Sequence, residues 1–246
     1  MMTLKMVLRN SDSKVQSIIF DIMRTIVYFL IFFFPFFIGA QQTSTFYKYI
    51  LHKPTDTISP KPLIIFLHGS GESGDNPDLL KVHGPLKFLN NNKENNIDAY
   101  ILVPQCPKGK SWETGILYGL LNKIISENKI DKKRIHLTGL SMGAWGSWNF
   151  AIEHPEIPAS LVPIAGFVDR KPMLEICSLK DIPVWIFHGK LDDVIDVFYS
   201  KEVYKRLRKC SENVDFTIFQ DANHDSWTRV YDNPEIYQWM LSQKKQ

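Results

Sequence analysis

The sequence predicts an α/β fold in which a mostly parallel central sheet carries helices on both faces. Apolar runs of strand length alternate along the chain with longer segments of helical periodicity. The middle runs, such as Leu63–Leu67 and Pro183–Phe187, are apolar throughout rather than alternating. Strands with this pattern are buried on both faces, which is typical of parallel sheets covered by helices. The chain has 246 residues, enough for one domain with a full core.

The predicted elements follow one another in a regular order. Each strand is a short run of apolar residues, and each helix is a longer segment between turn residues. The predicted strands are Tyr47–Leu51, Leu63–Leu67, Ala99–Val103, Arg134–Leu137, Ser160–Ile164, Pro183–Phe187 and Val214–Phe219. The predicted helices are Leu79–Leu89, Glu113–Glu127, Met142–Glu153, Lys201–Lys209 and Pro234–Leu241. The connection Asp169–Asp181 is too short for a large lid, so we expect an open site.

The junction of the fourth strand and the third helix has the pattern of a nucleophile elbow. Its sequence, Gly139-Leu-Ser-Met-Gly143, fits G-x-S-x-G with Ser141 at the apex of a sharp turn. Glycines two residues before and after the serine leave room for that turn, because a Cβ there would collide with backbone. The pattern predicts Ser141 as a nucleophile beside the positive end of the following helix.

An elbow of this kind requires an acid and a histidine further along the chain, each in a loop after a strand. Asp192 follows the strand that ends at Gly189, and Asp193 is the alternative acid. His224 follows the next strand and is the only histidine beyond Asp192. In this interpretation His224 takes the proton of Ser141 and returns it to the leaving group, while Asp192 fixes the tautomer of His224.

A glycine-rich segment after the second strand, His68–Gly74, predicts an oxyanion hole. Backbone N–H groups in such a loop can turn toward a developing oxyanion, where each donor contributes about 3 kcal/mol in the transition state. We assign the two donors to the amide of Met142, directly after the nucleophile, and to the amide of Ser70.

The same loop also fits the dinucleotide pattern G-x-G-x-x-G over Gly69–Gly74. That reading requires a helix, a second strand and an acid about 20 residues further on. Instead, Asn90–Asn96 is a polar loop, and the strand Ala99–Val103 leads into Pro104-Gln105 without an acid. The context therefore argues against nucleotide binding.

Five motifs follow one another between about Phe46 and the C-terminus. They are His68-Gly-Ser-Gly-Glu72, Val103-Pro-Gln-Cys-Pro107 with Trp112, Gly139-Leu-Ser-Met-Gly143, His188-Gly-Lys-Leu-Asp192 and His224-Asp-Ser-Trp227. In this order they resemble the α/β-hydrolase esterases. The resemblance is greatest to the phospholipase/carboxylesterase and dienelactone-hydrolase-like group, which includes relatives of polyhydroxybutyrate depolymerases and predicted peptidases. It implies an α/β-hydrolase fold and cleavage of a carboxylic ester without a cofactor or metal. A peptidase or amidase with the same triad and a non-catalytic binding module are the alternatives.

The chain departs from that group just after the elbow. Relatives often have a second glycine there, whereas this chain has Ala144 followed by the bulky Trp145. We therefore expect a different acyl pocket. Gly69, Trp112, Trp145 and Trp227 are candidate pocket residues, and core packing is the alternative role for each tryptophan.

Residues 1–40 are predicted to lie outside a single catalytic domain that spans residues 41–246. Ile26–Ala40 is an apolar run that follows Arg24 and ends in small residues, which predicts a signal peptide cleaved after Ala40. The run is shorter than the about 20 residues of a membrane span, and an uncleaved anchor is the alternative. Met23 is a possible true start. We expect a secreted or periplasmic protein.

The net charge and the cysteine spacing argue against a nucleic-acid-binding protein and against a metal site built from cysteines. The net charge of +3 gives no sign of a nucleic-acid partner, and no stable membrane insertion of the mature domain is expected. Cys106, Cys177 and Cys210 allow at most one disulfide, and the sequence does not specify its pairing. None has metal-ligand spacing, and Cys106 between two prolines is expected to be a buried thiol. The expected substrate is a small-molecule or polymer-linked ester.

Overall fold

The computed structural model of the protein describes residues 46–246. The predicted signal peptide, its cleavage site and the alternative start at Met23 lie outside the described residues. Across the part that is described, no helix combines the length and the apolar character needed to cross a membrane.

Residues 46–246 contain a seven-stranded sheet. The strands are β1 (Lys48–His52), β2 (Lys61–Leu67), β3 (Tyr100–Gln105), β4 (Ile130–Leu140), β5 (Ser160–Ile164), β6 (Val184–Gly189) and β7 (Val214–Phe219). Their order across the sheet is β1-β3-β2-β4-β5-β6-β7. β1 pairs antiparallel with β3, and all the other pairs are parallel. The seven predicted strands are therefore confirmed, with shifts of a few residues at their ends.

The helices lie between and after these strands. They are α1 (Gly84–Asn91), α2 (Thr114–Glu127), α3 (Met142–Glu153), α4 (Val197–Leu207), α5 (Trp227–Tyr231) and α6 (Pro234–Ser242). Three segments are 3-10 helices: Ser70–Glu72, Pro77–Lys81 and Pro172–Leu179.

Two hydrophobic cores cover the two faces of the sheet. Successive strand side chains point to opposite faces, so β2 sends Leu63 and Ile65 into one core and Ile64 and Phe66 into the other. Leucines of α2 belong to the first core, whereas residues of α1 and α6 belong to the second. The predicted α/β-hydrolase fold, with helices on both faces of a mostly parallel sheet, is confirmed.

One predicted helix is interrupted in the structure, so its prediction as a single helix is wrong. The segment Leu79–Leu89 is divided between the 3-10 helix Pro77–Lys81 and α1. The break lies at Val82 and His83, and α1 begins at Gly84, whose φ is +72°. A Cβ at Gly84 would lie 2.6 Å from the ring of Phe66, so the position requires glycine both for its backbone angle and for its space.

Other boundaries differ for local reasons. α4 begins at Val197, four residues before the predicted start at Lys201, because the side chain of Asp196 accepts the N–H of Phe198 at 2.7 Å and caps the helix. The expected short connection after β5 contains the 3-10 helix Pro172–Leu179, and Trp227, expected in a loop, begins α5.

A disulfide links Cys177 to Cys210, with 5.9 Å between the two Cα atoms. It joins the 3-10 helix Pro172–Leu179 to the turn that follows α4. This pairing was left open by the sequence. The third cysteine, Cys106, is a free and buried thiol.

Candidate active site

The elbow at Ser141 is held in a strained conformation between β4 and α3. Ser141 has φ +52° and ψ −118°, a region that residues with a side chain rarely adopt. Its N–H donates to the carbonyl of Ile164 in β5 at 2.9 Å. A Cβ at Gly139 would lie 2.3 Å from the carbonyl oxygen of Gly143, and one at Gly143 would lie 1.9 Å from the carbonyl oxygen of Leu67. The two glycines therefore permit the close contacts that hold the turn in place.

The structure brings Ser141, His224 and Asp192 together as a chain of hydrogen bonds. His224 Nδ1 lies 2.7 Å from Asp192 Oδ2, and His224 Nε2 lies 3.0 Å from Ser141 Oγ. A carboxylate only accepts, so Nδ1 of neutral His224 carries the proton and donates it to Asp192. Nε2 is then free to accept the hydroxyl proton of Ser141.

The side chain of Asp192 is buried and surrounded by donors. Its Oδ1 accepts the N–H groups of Val194 and Ile195 at 2.9 and 2.8 Å. The two backbone donors turn the other carboxylate oxygen toward His224. Asp193, the alternative acid, is exposed and does not occupy this position.

His188 is a site residue to which the sequence assigned no role. It is fully buried at the end of β6, and its Nε2 lies 3.0 Å from Asp192 Oδ2 and 2.8 Å from the carbonyl oxygen of Ile195. Burial lowers the pKa of His188, which favours the neutral ring. Nε2 must then carry the proton, and Nδ1 accepts the hydroxyl of Ser200 at 2.8 Å. The sequence spacing of His188 and Asp192 does not predict this contact, because i, i+4 neighbours meet within a helix, whereas His188 lies in β6 and Asp192 in the turn that follows.

His68 fixes the loop on the opposite side of Ser141. Its ring is fully buried, and burial lowers its pKa to about 4, so it is neutral at physiological pH. Nε2 accepts the N–H of Cys106 at 3.0 Å, which leaves the proton on Nδ1 to donate to the carbonyl of Gly69 at 2.6 Å. Trp112, only 3% exposed, donates its indole N–H to the carbonyl of His68 at 3.2 Å.

The two amides expected to bind an oxyanion both begin a helical segment. Met142 is the first residue of α3, and Ser70 is the first residue of a 3-10 helix. N–H groups in the first turn of a helix have no acceptor within that helix, so both amides are available to a ligand. Gly69 faces the nucleophile closely, since a Cβ on it would lie 3.7 Å from the Cβ of Ser141.

An open cleft of about 630 Å³ starts one helical turn beyond the nucleophile. Trp145 lies at this end and donates its indole N–H to the carboxylate of Asp169 at 2.7 Å. Trp112 and Trp145, two of the four expected pocket residues, line the cleft. Most of its other polar groups are acceptors: the carboxylates of Glu113, Glu153, Asp169 and Glu175 and the buried Oδ1 of Asn149, which has no hydrogen-bond partner within residues 46–246.

The other two expected pocket residues, Gly69 and Trp227, are not part of this cleft. Trp227 packs edge to face against His224, with 5.0 Å between ring centroids, and against His83 at 5.7 Å. Its indole Nε1 is buried without a hydrogen-bond partner among the described residues. Trp227 thus forms a wall beside His224.

Cys106 is close to this machinery but is poorly suited to act as a nucleophile. It is fully buried, and burial raises the pKa of its thiol to about 11. Its Sγ lies 3.3 Å from the carbonyl of Lys110. The protonated thiol is a packed, structural group.

Comparison with known proteins identifies the family of this chain. A sequence model of the phospholipase/carboxylesterase family matches residues 110–233, which include the elbow serine, Asp192 and His224. No curated protein sequence matches the chain.

Several solved structures share the fold. A thermostable esterase is 28% identical with a TM-score of 0.68, over 80% of this chain and 59% of its own length. The chain therefore spans less than two thirds of that relative. The fluorophosphonate-binding serine hydrolase F of Staphylococcus aureus is 15% identical with a TM-score of 0.61, over 80% of this chain and 92% of its own. An acylaminoacyl peptidase of Pyrococcus horikoshii is 17% identical with a TM-score of 0.61, over 80% of this chain and 40% of its own.

Proposed function

The chain belongs to the phospholipase/carboxylesterase family, and on that premise we propose that it is a serine esterase that cleaves carboxylic esters through an acyl-enzyme on Ser141. The observation that carries the proposal is the continuous hydrogen-bonded chain from Ser141 Oγ through His224 to Asp192, with distances of 3.0 and 2.7 Å. A non-catalytic binding module has no physical need for this arrangement.

Acylation begins when Ser141 Oγ attacks the ester carbonyl carbon and its proton passes to His224 Nε2. The carbonyl oxygen becomes an oxyanion, which the amides of Met142 and Ser70 stabilise. Asp192 stabilises the imidazolium of His224 through Nδ1. The ester C–O bond then breaks, and His224 gives its proton to the departing alcohol.

Deacylation repeats these steps with water. His224 takes a proton from a water molecule, whose oxygen attacks the acyl carbon of the acyl-enzyme. Collapse of the second oxyanion breaks the bond to Ser141 Oγ, and His224 returns the proton to that oxygen. The products are a carboxylic acid and the free serine.

Fluorophosphonate labelling tests the nucleophile directly. We expect the purified domain to be labelled at Ser141 and to hydrolyse p-nitrophenyl acetate. Ser141→Ala should abolish labelling and lower kcat by about 10⁴-fold or more. Ser178→Ala, which removes an exposed hydroxyl, is the matched control. A folded but unlabelled protein would contradict the proposal.

Hydrolysis rates measured on esters and on peptides distinguish an esterase from a peptidase. A peptidase must protonate a poorer leaving group and must hold an extended chain. We expect hydrolysis of short-chain and aryl esters without cleavage of peptides. Cleavage of a peptide panel at rates comparable to esters would favour the peptidase alternative.

We propose further that the protein is exported by the segment Ile26–Ala40. The disulfide Cys177–Cys210 supports this, because disulfides persist in oxidising compartments outside the cytosol. N-terminal sequencing of the exported protein should give Gln41 as the first residue. Another start would contradict cleavage after Ala40, and retention in the membrane fraction would favour the anchor.

A further inference from the structure

The carboxylate of Glu72 is held inside the loop that carries the Ser70 amide. Its Oε2 accepts the N–H of Gly69 at 2.9 Å, and its side chain is only 12% exposed. The backbone at Glu72 is fixed as well, because the side chain of Gln105 donates to the carbonyl oxygen of Glu72 at 3.0 Å. Gln105 is itself 2% exposed, so the anchor comes from the buried end of β3.

This contact decides which amide of the loop is free. The N–H of Gly69 is occupied by Glu72, so it is not available to an oxyanion. The next peptide unit joins Gly69 to Ser70, and its carbonyl is held by His68 Nδ1 at 2.6 Å. In a planar trans peptide the C=O and N–H point in opposite directions. The N–H of Ser70 therefore points away from His68.

Glu72 also lies close to the nucleophile. The position of a Cβ on Gly69 would be 3.3 Å from Glu72 Oε2 and 3.7 Å from the Cβ of Ser141. The carboxylate and the nucleophile thus border the same glycine. The hydrogen bond between Glu72 and Gly69 fixes the peptide plane on one side of Gly69, and the bond from His68 fixes the plane on the other.

We propose that Glu72 is a positioning residue for the oxyanion hole, an inference that rests on the proposed function. By binding the N–H of Gly69, it sets the loop so that the N–H of Ser70 faces the space above Ser141. Glu72 does not touch the substrate. Its effect should therefore appear in the stabilisation of the transition state and not in the binding of the ester.

Two replacements of Glu72 separate its hydrogen bond from its charge. Glu72→Met keeps the length of the side chain but removes the carboxylate acceptor. Glu72→Gln keeps an acceptor oxygen and removes the charge. Asp75→Asn is the matched control, because Asp75 is exposed and lies three residues further along the same segment.

We expect Glu72→Met to lower kcat for p-nitrophenyl acetate by about 10- to 100-fold, since one complete oxyanion donor is worth about 10²- to 10³-fold. KM should change by less than about twofold. The affinity for a trifluoromethyl ketone, which forms a tetrahedral oxyanion on the serine, should fall in parallel with kcat/KM. Glu72→Gln should recover most of kcat, and Asp75→Asn should behave like the wild type.

The outcomes distinguish this proposal from the proposed function. A wild-type protein without esterase activity or labelling at Ser141 would overturn both. An active wild type with a folded Glu72→Met variant of unchanged kcat would overturn the role of Glu72 alone. So would a rise in KM at unchanged kcat, because it would place Glu72 in substrate binding. If the Met variant does not fold, Glu72→Ala gives the same comparison.

Discussion

Replacing Asp192 with asparagine changes one atom of the site and should reverse the tautomer of His224. Oδ1 of Asp192 accepts two backbone N–H groups, from Val194 and Ile195. An amide NH₂ in that place would face two backbone donors that cannot turn away, so the amide oxygen occupies it. His188 Nε2, which also lies 3.0 Å from Oδ2, keeps the carbonyl oxygen of Ile195 as its acceptor at 2.8 Å. The NH₂ group then takes the place of Oδ2, at 2.7 Å from His224 Nδ1.

The consequence for His224 follows from the hydrogen-bond rules of its ring. With a donor facing it, Nδ1 must accept, and the proton of the neutral ring moves to Nε2. Nε2 then faces Ser141 Oγ at 3.0 Å as a donor and cannot take the hydroxyl proton. The same change in a serine protease triad lowers kcat about 10⁴-fold, equivalent to about 5 kcal/mol of transition-state stabilisation.

The measurement is kcat and KM for p-nitrophenyl acetate, with thermal unfolding recorded for each variant. We expect Asp192→Asn to lower kcat by about 10⁴-fold and to leave KM little changed. Asp193→Asn is the control, since Asp193 is exposed, and it should retain activity within about twofold of the wild type. A folded Asp192→Asn variant with more than a tenth of wild-type kcat, or an equal loss in Asp193→Asn, would refute the reasoning.

Three further predictions concern the scaffold. Gly143→Ala places a Cβ 1.9 Å from the carbonyl oxygen of Leu67 and should destabilise the fold by about 3 kcal/mol, measured by urea unfolding; wild-type stability would contradict the contact. Removing the disulfide by Cys177→Ser with Cys210→Ser should lower the free energy of unfolding by about 3 to 4 kcal/mol, because the bond closes a loop of 33 residues. The value of kcat should be retained at low temperature. An inactive but equally stable variant would contradict this. The pKa of His68 is lowered to about 4 by burial, so the unfolded chain binds a proton first as the pH falls. Its contribution to stability, about 3 kcal/mol, is present above pH 6.5 and is lost between about pH 6.5 and 4. Urea unfolding at pH 7 and 4.5 measures the combined loss from His68 and from the similarly buried His136, whose pKa is lowered to about 3, and a stability that is independent of pH in this range would contradict it.

The sequence predicted the sheet well because buried parallel strands have a distinct apolar pattern. Ser160–Ile164 and Val214–Phe219 have the predicted bounds, and α3 has them as well. The helix before β3 was wrongly predicted as continuous, because the break lies just before Gly84, whose close approach to the ring of Phe66 is a contact between residues distant in sequence. Such contacts leave no local pattern.

The candidate site was predictable where a motif requires an order of residues along the chain. Ser141 and His224 followed from the elbow and from the count of histidines. The choice between Asp192 and Asp193 depends on the turn after β6, in which the backbone amides of Val194 and Ile195 bind only one of the two carboxylates. Sequence reasoning cannot decide between adjacent residues whose difference arises from turn geometry.

The supporting residues were harder to predict. His188 contacts Asp192 and Glu72 contacts Gly69, and neither is one of the three residues of the proposed triad. Their positions depend on short distances between loops that meet only in the folded sheet. Sequence spacing carries little information about such contacts.

The attachment of the elbow to its neighbours links catalysis to the order of folding. Ser141 is bound through its N–H to β5, and Gly143 contacts the end of β2, so the strained turn needs both strands beside β4. These contacts join segments far apart in sequence, and contacts of this kind slow folding because a long loop must close before they form. A chain with only part of its sheet assembled should have no reactive serine. The return of fluorophosphonate labelling during refolding would therefore report when the strands on both sides of β4 are in place.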